Sequence, residues 1–450
     1  MKKFLSISIF LAGLAGHSYG QAAPTATPVQ TQTQTQTPAG TTTPALSWVD
    51  GTVHYGLSAS EIVQVGYYGS GNITSATALS GVVGYSSLSN VHPTSLLFAG
   101  GVVIGQGGQG TSTYQNIAIS QSLIKGRWIF NISDSFSFLP QSPVTGIAGV
   151  PGINNPGTIP IDGPSGGPAG GILTFSGNRI SNMLSGTLER RLTGKTSVSG
   201  SGSWSLLHFI DKNAGLDTSM VTGQVALNHQ IDRRNSASIS AVYSTFDTYN
   251  LLGLYPPGFP TNSVTYQTKG INLSYTRLWT RSLSTDVSAG PMWIQTSAAP
   301  LIPNQLNYYL NAGLGYNRRL NNYNLRYTHG VNGGSGVQPG ALSDTVTGSA
   351  SRTFSQQWAG TASLVYTRTS GLLFLVPGVP GTNNNAINTV YGTLQVTHGF
   401  TRTISGYASY TAQHQSVNQG LLTPNAFNGT SHIFGIGVSW TPQSTRLGDF

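Results

Sequence analysis

Two histidine–carboxylate pairs, His208 with Asp211 and His229 with Asp232, come nearest to acid–base machinery in this sequence. Each spans three residues, so one side chain can orient the other, yet neither has a nucleophile in register with it. Two phosphate-binding spellings also occur. Gly105-Gln106-Gly107-Gly108-Gln109-Gly110 fits the dinucleotide fingerprint after an apolar run. The chain then continues as a further strand pattern, Tyr114 to Leu123, where that fold needs a helix N-terminus for the pyrophosphate. Gly194-Lys195-Thr196 has Glu189 where a phosphate loop needs glycine, and reads as a tight turn. With 58 glycines in 450 residues, such matches arise from composition. No His, Asp or Glu group has metal-ligand spacing, and cysteine is absent, which excludes disulfides and lipid attachment through a thiol. No enzyme activity, cofactor or metal is expected.

Basic residues recur instead beside short polar connections: Lys125 and Arg127, Arg190, Arg191 and Lys195, Arg233 and Arg234, Arg277 and Arg281, Arg318 and Arg319, then Arg352 and Arg402. Arg233, Arg234, Arg281, Arg318 and Arg402 are read as a rim of positive charge. Such a rim either draws anions toward an opening or anchors a barrel to phospholipid headgroups, and the second reading is preferred. Without Lys2 and Lys3 there remain 19 basic against 12 acidic residues, a net of +7. Basic clusters interleaved with aromatics on one element are missing, so nucleic acid is not an expected partner.

What must position these residues is a repeated alternation. From Leu306 to Asn317 the residues Leu306, Tyr308, Leu310, Ala312, Leu314 and Tyr316 share one face of a strand, and Asn307, Tyr309, Asn311, Gly313, Gly315 and Asn317 share the other. Val221 to Asn228, Ala237 to Ser244 and Ile404 to Gln413 alternate likewise. Turns near Asn90, Gly126, Thr193, Arg233, Thr280, Asn321, Ser355 and Thr401 separate such segments in pairs, as hairpins do. Longer segments rich in Gly, Pro and Asn join the pairs, among them Tyr255 to Asn262 and Asn332 to Ser343. Eight hairpins with a first strand near Thr52 to Tyr67 and a last near His432 to Trp440 make eighteen strands, within a range of sixteen to eighteen.

Only 7% of the residues are charged, far below the quarter or so of a soluble domain. Lys2 and Lys3, the apolar run Phe4 to Leu14 and the small-residue pattern ending at Gly20 read as a cleaved export signal over 1–20. Residues 21–46, with Gln-Thr repeats and prolines, read as a disordered periplasmic spacer. Residues 47–450 then form one all-β domain, a single transmembrane antiparallel barrel whose long loops are extracellular. Trp128, Trp279, Trp358 and Trp440 fall beside turns or strand ends, where an aromatic girdle sits.

Continuing each strand's phase inward places Glu189, Arg191, Asp286, Arg319 and Arg326 on the lumen wall. Among inward residues that are otherwise Ser, Thr, Asn, Gln, Tyr and Gly, they leave a wall suited to neutral polar solutes. Asp134 shares the phase of Trp128, Phe130 and Ile132, which puts a carboxylate on the lipid face, near the upper interface about eight residues above its turn. A bulge is the alternative that turns it inward. Leu139 to Gly177, the longest connection, is read as a constriction or a surface loop.

On these patterns, from Trp48 to Phe450, the chain resembles the Gram-negative outer-membrane β-barrel proteins, in particular porin-like barrels. Phe450 resembles the C-terminal aromatic recognised by the barrel-assembly machinery, although Pro442 interrupts the last strand and Ile433 to Trp440 fits that signal instead. The resemblance implies an outer-membrane location, the assembly machinery and outer-membrane lipids as partners, and passive passage of small or medium polar solutes. A link to surface polysaccharide export is a second transport reading, with glycan as the solute. A non-conducting scaffold whose loops bind a surface partner is the rival reading.

Overall fold

The computed structural model describes residues 51–66, 73–87, 89, 91–105, 110–141, 177–210, 215–249, 263–297, 304–333, 336–338, 340–372, 386–417 and 426–447. The export signal, the spacer, most of the connection 139–177 and Phe450 lie outside these residues. The strands are β1 (Gly51–Val65), β2 (Ile73–Ser87), β3 (Thr94–Gly105), β4 (Thr111–Lys125), β5 (Trp128–Gln141) and β6 (Gly177–Arg191). They continue with β7 (Thr196–Phe209), β8 (Asp217–Gln230), β9 (Asn235–Tyr249), β10 (Ser263–Leu278), β11 (Leu283–Thr296) and β12 (Gln305–Arg318). The series ends with β13 (Asn321–Asn332), β14 (Ala341–Thr353), β15 (Trp358–Gly371), β16 (Ala386–Gly399), β17 (Ile404–Val417), β18 (Gly429–Trp440) and the short β19 (Thr445–Leu447).

Each of β1 to β18 pairs antiparallel with its sequence neighbours in that series, and β1 pairs with β18 from Leu57↔Trp440 to Val65↔His432. Eighteen strands therefore close into a barrel. Pro442 has no N–H to donate, so pairing stops after Trp440 and resumes as β19 against Gly51–Val53.

Closure decides which face is which. Leu57, Leu273, Leu306 and Ile436 are each at least 60% exposed, whereas Thr248, Ser288 and Asn311, in the opposite phase, are 3% or less. Side chains on the convex side splay apart, and those on the concave side crowd together. Leu216 before β8, Tyr266 on β10 and Leu372 after β15 share one cluster, which positions so far apart round the barrel can form only on its inner side. The apolar set is thus outside and the hydroxyl set inside. That inversion of a soluble core is stable where the exterior meets lipid.

Five short turns are built alike. Thr193, Asp232, Thr280, Ser355 and Thr401 each accept, through a side-chain oxygen, the backbone N–H groups two and three residues ahead. These residue types offer a local acceptor that a reversing chain needs, which is why their recurrence marks the turns. At Asp232 the Asn235 amide adds a bond of 2.7 Å, and together with the Arg234 N–H it holds the carboxyl below its ordinary range.

The expected depth of Asp134 is corrected here. Pairing on both sides of β5 is continuous, with Asp134↔Ile119 and Asp134↔Leu184, so no bulge turns it inward. It does face out with Trp128 and Phe130. But β5 runs on to Gln141, so Asp134 stands mid-strand and not near the upper interface.

Two expectations test these features. A methyl group at Gly290 would collide with the Ile271 carbonyl oxygen, so Gly290→Ala should cost about 1–3 kcal/mol, read as a lower urea midpoint for the refolded barrel. Because the folded Asp232 carboxyl is depressed, its contribution is complete above the ordinary carboxylate value and is lost as pH falls through the folded one. Asp232→Thr keeps the cap without the titration, so its urea midpoint should decline less between pH 5 and pH 3 than that of the parent chain.

Candidate functional site

The lumen wall is lined by cross-strand hydroxyl pairs. On an antiparallel pair, residues directly opposite hold their Cβ atoms about 4.5–5.5 Å apart, a gap two short hydroxyl side chains bridge. Ser58 meets Ser80 and Ser133 meets Ser185 in this way. Thr222 donates to Ser244 at 3.0 Å and Ser274 to Ser288 at 2.8 Å, while Ser405 and Ser439 lie 2.7 Å apart and Thr393 and Thr411 3.1 Å. The wall is polar and wettable, and much of its hydrogen-bonding capacity is taken up within itself.

Asp286 and Arg326 form an ion pair across it. Arg326 Nη1 is 3.2 Å from Asp286 Oδ2 and donates to Asn311 Oδ1 at 2.8 Å. The two charges sit on β11 and β13, with β12 between them, in the register Asp286↔Gly313↔Arg326. A Cβ at Gly313 would fall on the Asp286 carboxylate, so glycine clears the path for a bridge over the middle strand. The side chains are 40% and 26% exposed, and a pair so solvated is worth about 0–1 kcal/mol. Its importance is the charge it sets on the wall.

The other expected residues are spread out. Glu189 is near the turn end of β6 and Arg191 is that strand's last, exposed residue. Arg319 lies in the turn after β12, exposed. Arg233, Arg234, Arg281 and Arg402 occupy three separate turns and Arg318 ends β12, all exposed. Arg190, Arg277 and Arg352, in the outward phase, lie over Trp128, Trp279 and Phe354 at 5.1, 3.9 and 5.8 Å, which gathers cations and aromatics at the short-turn end of the exterior. The His229–Asp232 pair does not form as spelled. Asp211 is outside the described residues and His208 pairs with Asp217 at 2.8 Å; His229 contacts Thr196 at 3.0 Å, while Asp232 caps its own turn. Among the described residues no group of three or more His, Cys, Asp and Glu could hold a metal.

Two features went unrecognised in the sequence. Arg179, in the inward phase of β6, is a buried charge near the loop end. More consequential is the connection between β13 and β14, read as an outward loop, which folds inward. Tyr266 donates its hydroxyl to the Asn332 carbonyl at 2.8 Å, Leu216 N donates to Gly336 O at 2.6 Å, and Leu372 N donates to Gly340 O at 3.1 Å. Leu216 precedes β8 and Leu372 follows β15, so this strap reaches strands well apart on the barrel. Its described residues rest on Phe209 and Tyr266, and Val337 packs with Ile387, Val417 and Ala426, beside the inward apolar set Phe246, Val264, Met292 and Ile294. Those apolar residues break the inward polar pattern near the loop ends of β9, β10 and β11, a signal that could have located the strap. Gly336 and Gly340 adopt φ of +76° and +80°, and Phe209 and Tyr266 lie where their side chains would be.

No protein-family model matches the sequence, and no curated protein matches it. Solved structures similar to it include three from Pseudomonas aeruginosa. The outer membrane protein OpdK is 9% identical with a TM-score of 0.43, covering 88% of this chain and 99% of its own. OccK2 (OpdF), also at 9% and 0.43, covers 88% and 98%; OprD, at 9% and 0.40, covers 88% and 97%. Similarity at this level assigns neither family nor solute.

Gly336→Val, which meets both the φ restriction and Phe209, should unseat the strap while leaving the barrel pairing intact. Limited proteolysis should then cut between β13 and β14 in the variant and spare the parent chain.

Proposed function

We propose that this chain is a porin-like channel of the Gram-negative outer membrane, passing small or medium polar, uncharged solutes passively. The observation that carries this reading is a wall of paired hydroxyls inside a closed barrel with an apolar exterior. Such a wall wets the lumen, and because its hydroxyls already bond to one another it holds a passing solute weakly. Neutral solutes are favoured because the Asp286–Arg326 pair cancels its own charge, so the wall neither concentrates nor repels ions strongly there. Glu189, Arg191, Asp286 and Arg326 are the proposed pore-lining charges, with Arg319 beside the opening. Arg233, Arg234, Arg281, Arg318 and Arg402 form the proposed periplasmic rim, where they meet phospholipid headgroups. A glycan in transit to the cell surface would find the same wall suitable.

One observation favours the rival scaffold: the strap between β13 and β14 is seated on buried apolar residues and occupies part of the lumen. Planar-bilayer recordings separate the two. Discrete conductance steps from the purified parent chain are expected, and no steps from either the parent or Gly336→Val would leave the scaffold standing. Arg326→Glu replaces a cancelled pair with two carboxylates at one level of the wall. The reversal potential in a tenfold salt gradient should shift toward cation preference, and an unchanged value would remove Arg326 from the conducting path.

A further inference from the structure

We infer that the inner wall of β16, β17, β18 and β1, just below the strap, binds a neutral sugar of two or more rings, with the Gln413 amide at its centre. This rests on the channel reading above and names a solute class for it. Gln413 on β17 shares the inward phase of Thr411, which lies 3.1 Å from Thr393, and is 1% exposed. Its cross-strand neighbours are Tyr391 on β16 and Ser431 on β18, and Gln64 on β1 donates to Ser431 Oγ at 3.0 Å. Val337 of the strap packs on Ile387, on the loop side of Tyr391 along β16, so this band lies beneath it.

What sets Gln413 apart is its unmade hydrogen bonds. Among the described residues its Oε1 and Nε2 are both buried without a partner, as are Gln64 Oε1 and Gln395 Nε2. Gln415, next in the same phase, is tied at both ends: it accepts from Thr389 at 2.8 Å and donates to the Phe427 carbonyl at 2.6 Å. Burying an unpaired amide is costly, and a solute that pairs with it recovers that cost. Turning the Gln413 amide toward the lumen breaks no hydrogen bond, so it can meet a solute although its neighbours enclose it.

The chemistry of these groups selects the solute. β16, β17 and β18 contain no Asp, Glu, Lys or Arg, and Glu61, the one such residue on β1, is in the outward phase, so this wall offers an ion no countercharge. Gln413 Nε2 and Gln395 Nε2 need acceptors, while Gln413 Oε1 and Gln64 Oε1 need donors. A hydroxyl supplies either. Gln395 is four residues along β16 from Tyr391, the neighbour of Gln413, so the unpaired groups extend over about 13 Å at roughly 3.3 Å per residue. That length accommodates two linked sugar rings.

In planar bilayers the purified parent chain should conduct in discrete steps, and millimolar sucrose should interrupt them with brief, reversible closures. Gln413→Met keeps the shape of the side chain and removes both hydrogen-bonding ends. It should raise the half-blocking sucrose concentration about fivefold or more, the loss of one or two hydrogen bonds. Triethylene glycol dimethyl ether, which accepts hydrogen bonds and donates none, should block far less than sucrose. Gln224→Leu, inward on β8 half-way round the barrel, should leave the sucrose block unchanged. Because the unpaired amide holds nothing in place, Gln413→Met should also keep or raise the urea midpoint of the refolded barrel, whereas an amide bonded to fixed water would make the variant less stable. A parent current indifferent to sucrose, a block that survives Gln413→Met or is lost equally in Gln224→Leu, or a Gln413→Met chain that is destabilised or unfolded would overturn the inference. Absence of steps from the parent would remove the channel reading and this inference with it, whereas steps without a sucrose block would remove this inference alone.

Discussion

The structure depends on the backbone hydrogen bonds between β1 and β18. In hydrocarbon each unpaired N–H or C=O costs several kcal/mol, so a few of them would outweigh the roughly 5–15 kcal/mol by which ordinary domains are stable. An open sheet of this length cannot exist in a bilayer, whatever its side chains. Pairing from Leu57↔Trp440 to Val65↔His432 removes the edge, and β19 extends the seam past the interruption at Pro442. Other features follow from closure, because closing the sheet creates an inside.

Once there is an inside, the alternation of each strand becomes a division of labour. Leu273 and Leu306 dissolve the exterior in lipid while Ser274, Ser288 and Asn311 wet the interior. The interior hydroxyls reach one another because antiparallel pairing sets opposite residues at a hydroxyl–hydroxyl spacing. Charge enters that wall where geometry admits it. Asp286 and Arg326 meet over Gly313, and a side chain on the middle strand would have kept them apart.

The strap shows how one barrel serves two demands. A lumen wide enough for water is a poor place to order a loop, since each residue fixed there loses conformational entropy. Burial of Val337 against Ile387 offsets that loss, and the hydrogen bonds at Asn332, Gly336 and Gly340 set the position. Toward the turns the wall returns to serine and threonine. The loop end is therefore shaped by apolar packing and the turn end lined by hydroxyls, an asymmetry that also separates the capped turns at Thr193, Asp232, Thr280, Ser355 and Thr401 from the longer connections opposite.

The sequence by itself determined the barrel, a count of sixteen to eighteen strands, the division of faces and the positions of the short turns. These depend on a period of two and on local acceptors such as Thr280 and Ser355, both of which act between residues near each other in the chain. For Asp134 the sequence offered an outward phase with an inward bulge as the alternative, and the continuous pairing on both sides of β5 decided between them. Which residues meet was decided only by the tertiary structure. The partnership of Asp286 with Arg326 needs the register of three strands, the approach of Asp217 to His208 needs the pairing of β7 with β8, and the mid-strand depth of Asp134 needs the full length of β5. The inward course of the β13–β14 connection was hidden for the same reason: its seat is assembled from strands far apart in sequence, and no local pattern records how a closed cylinder brings them together.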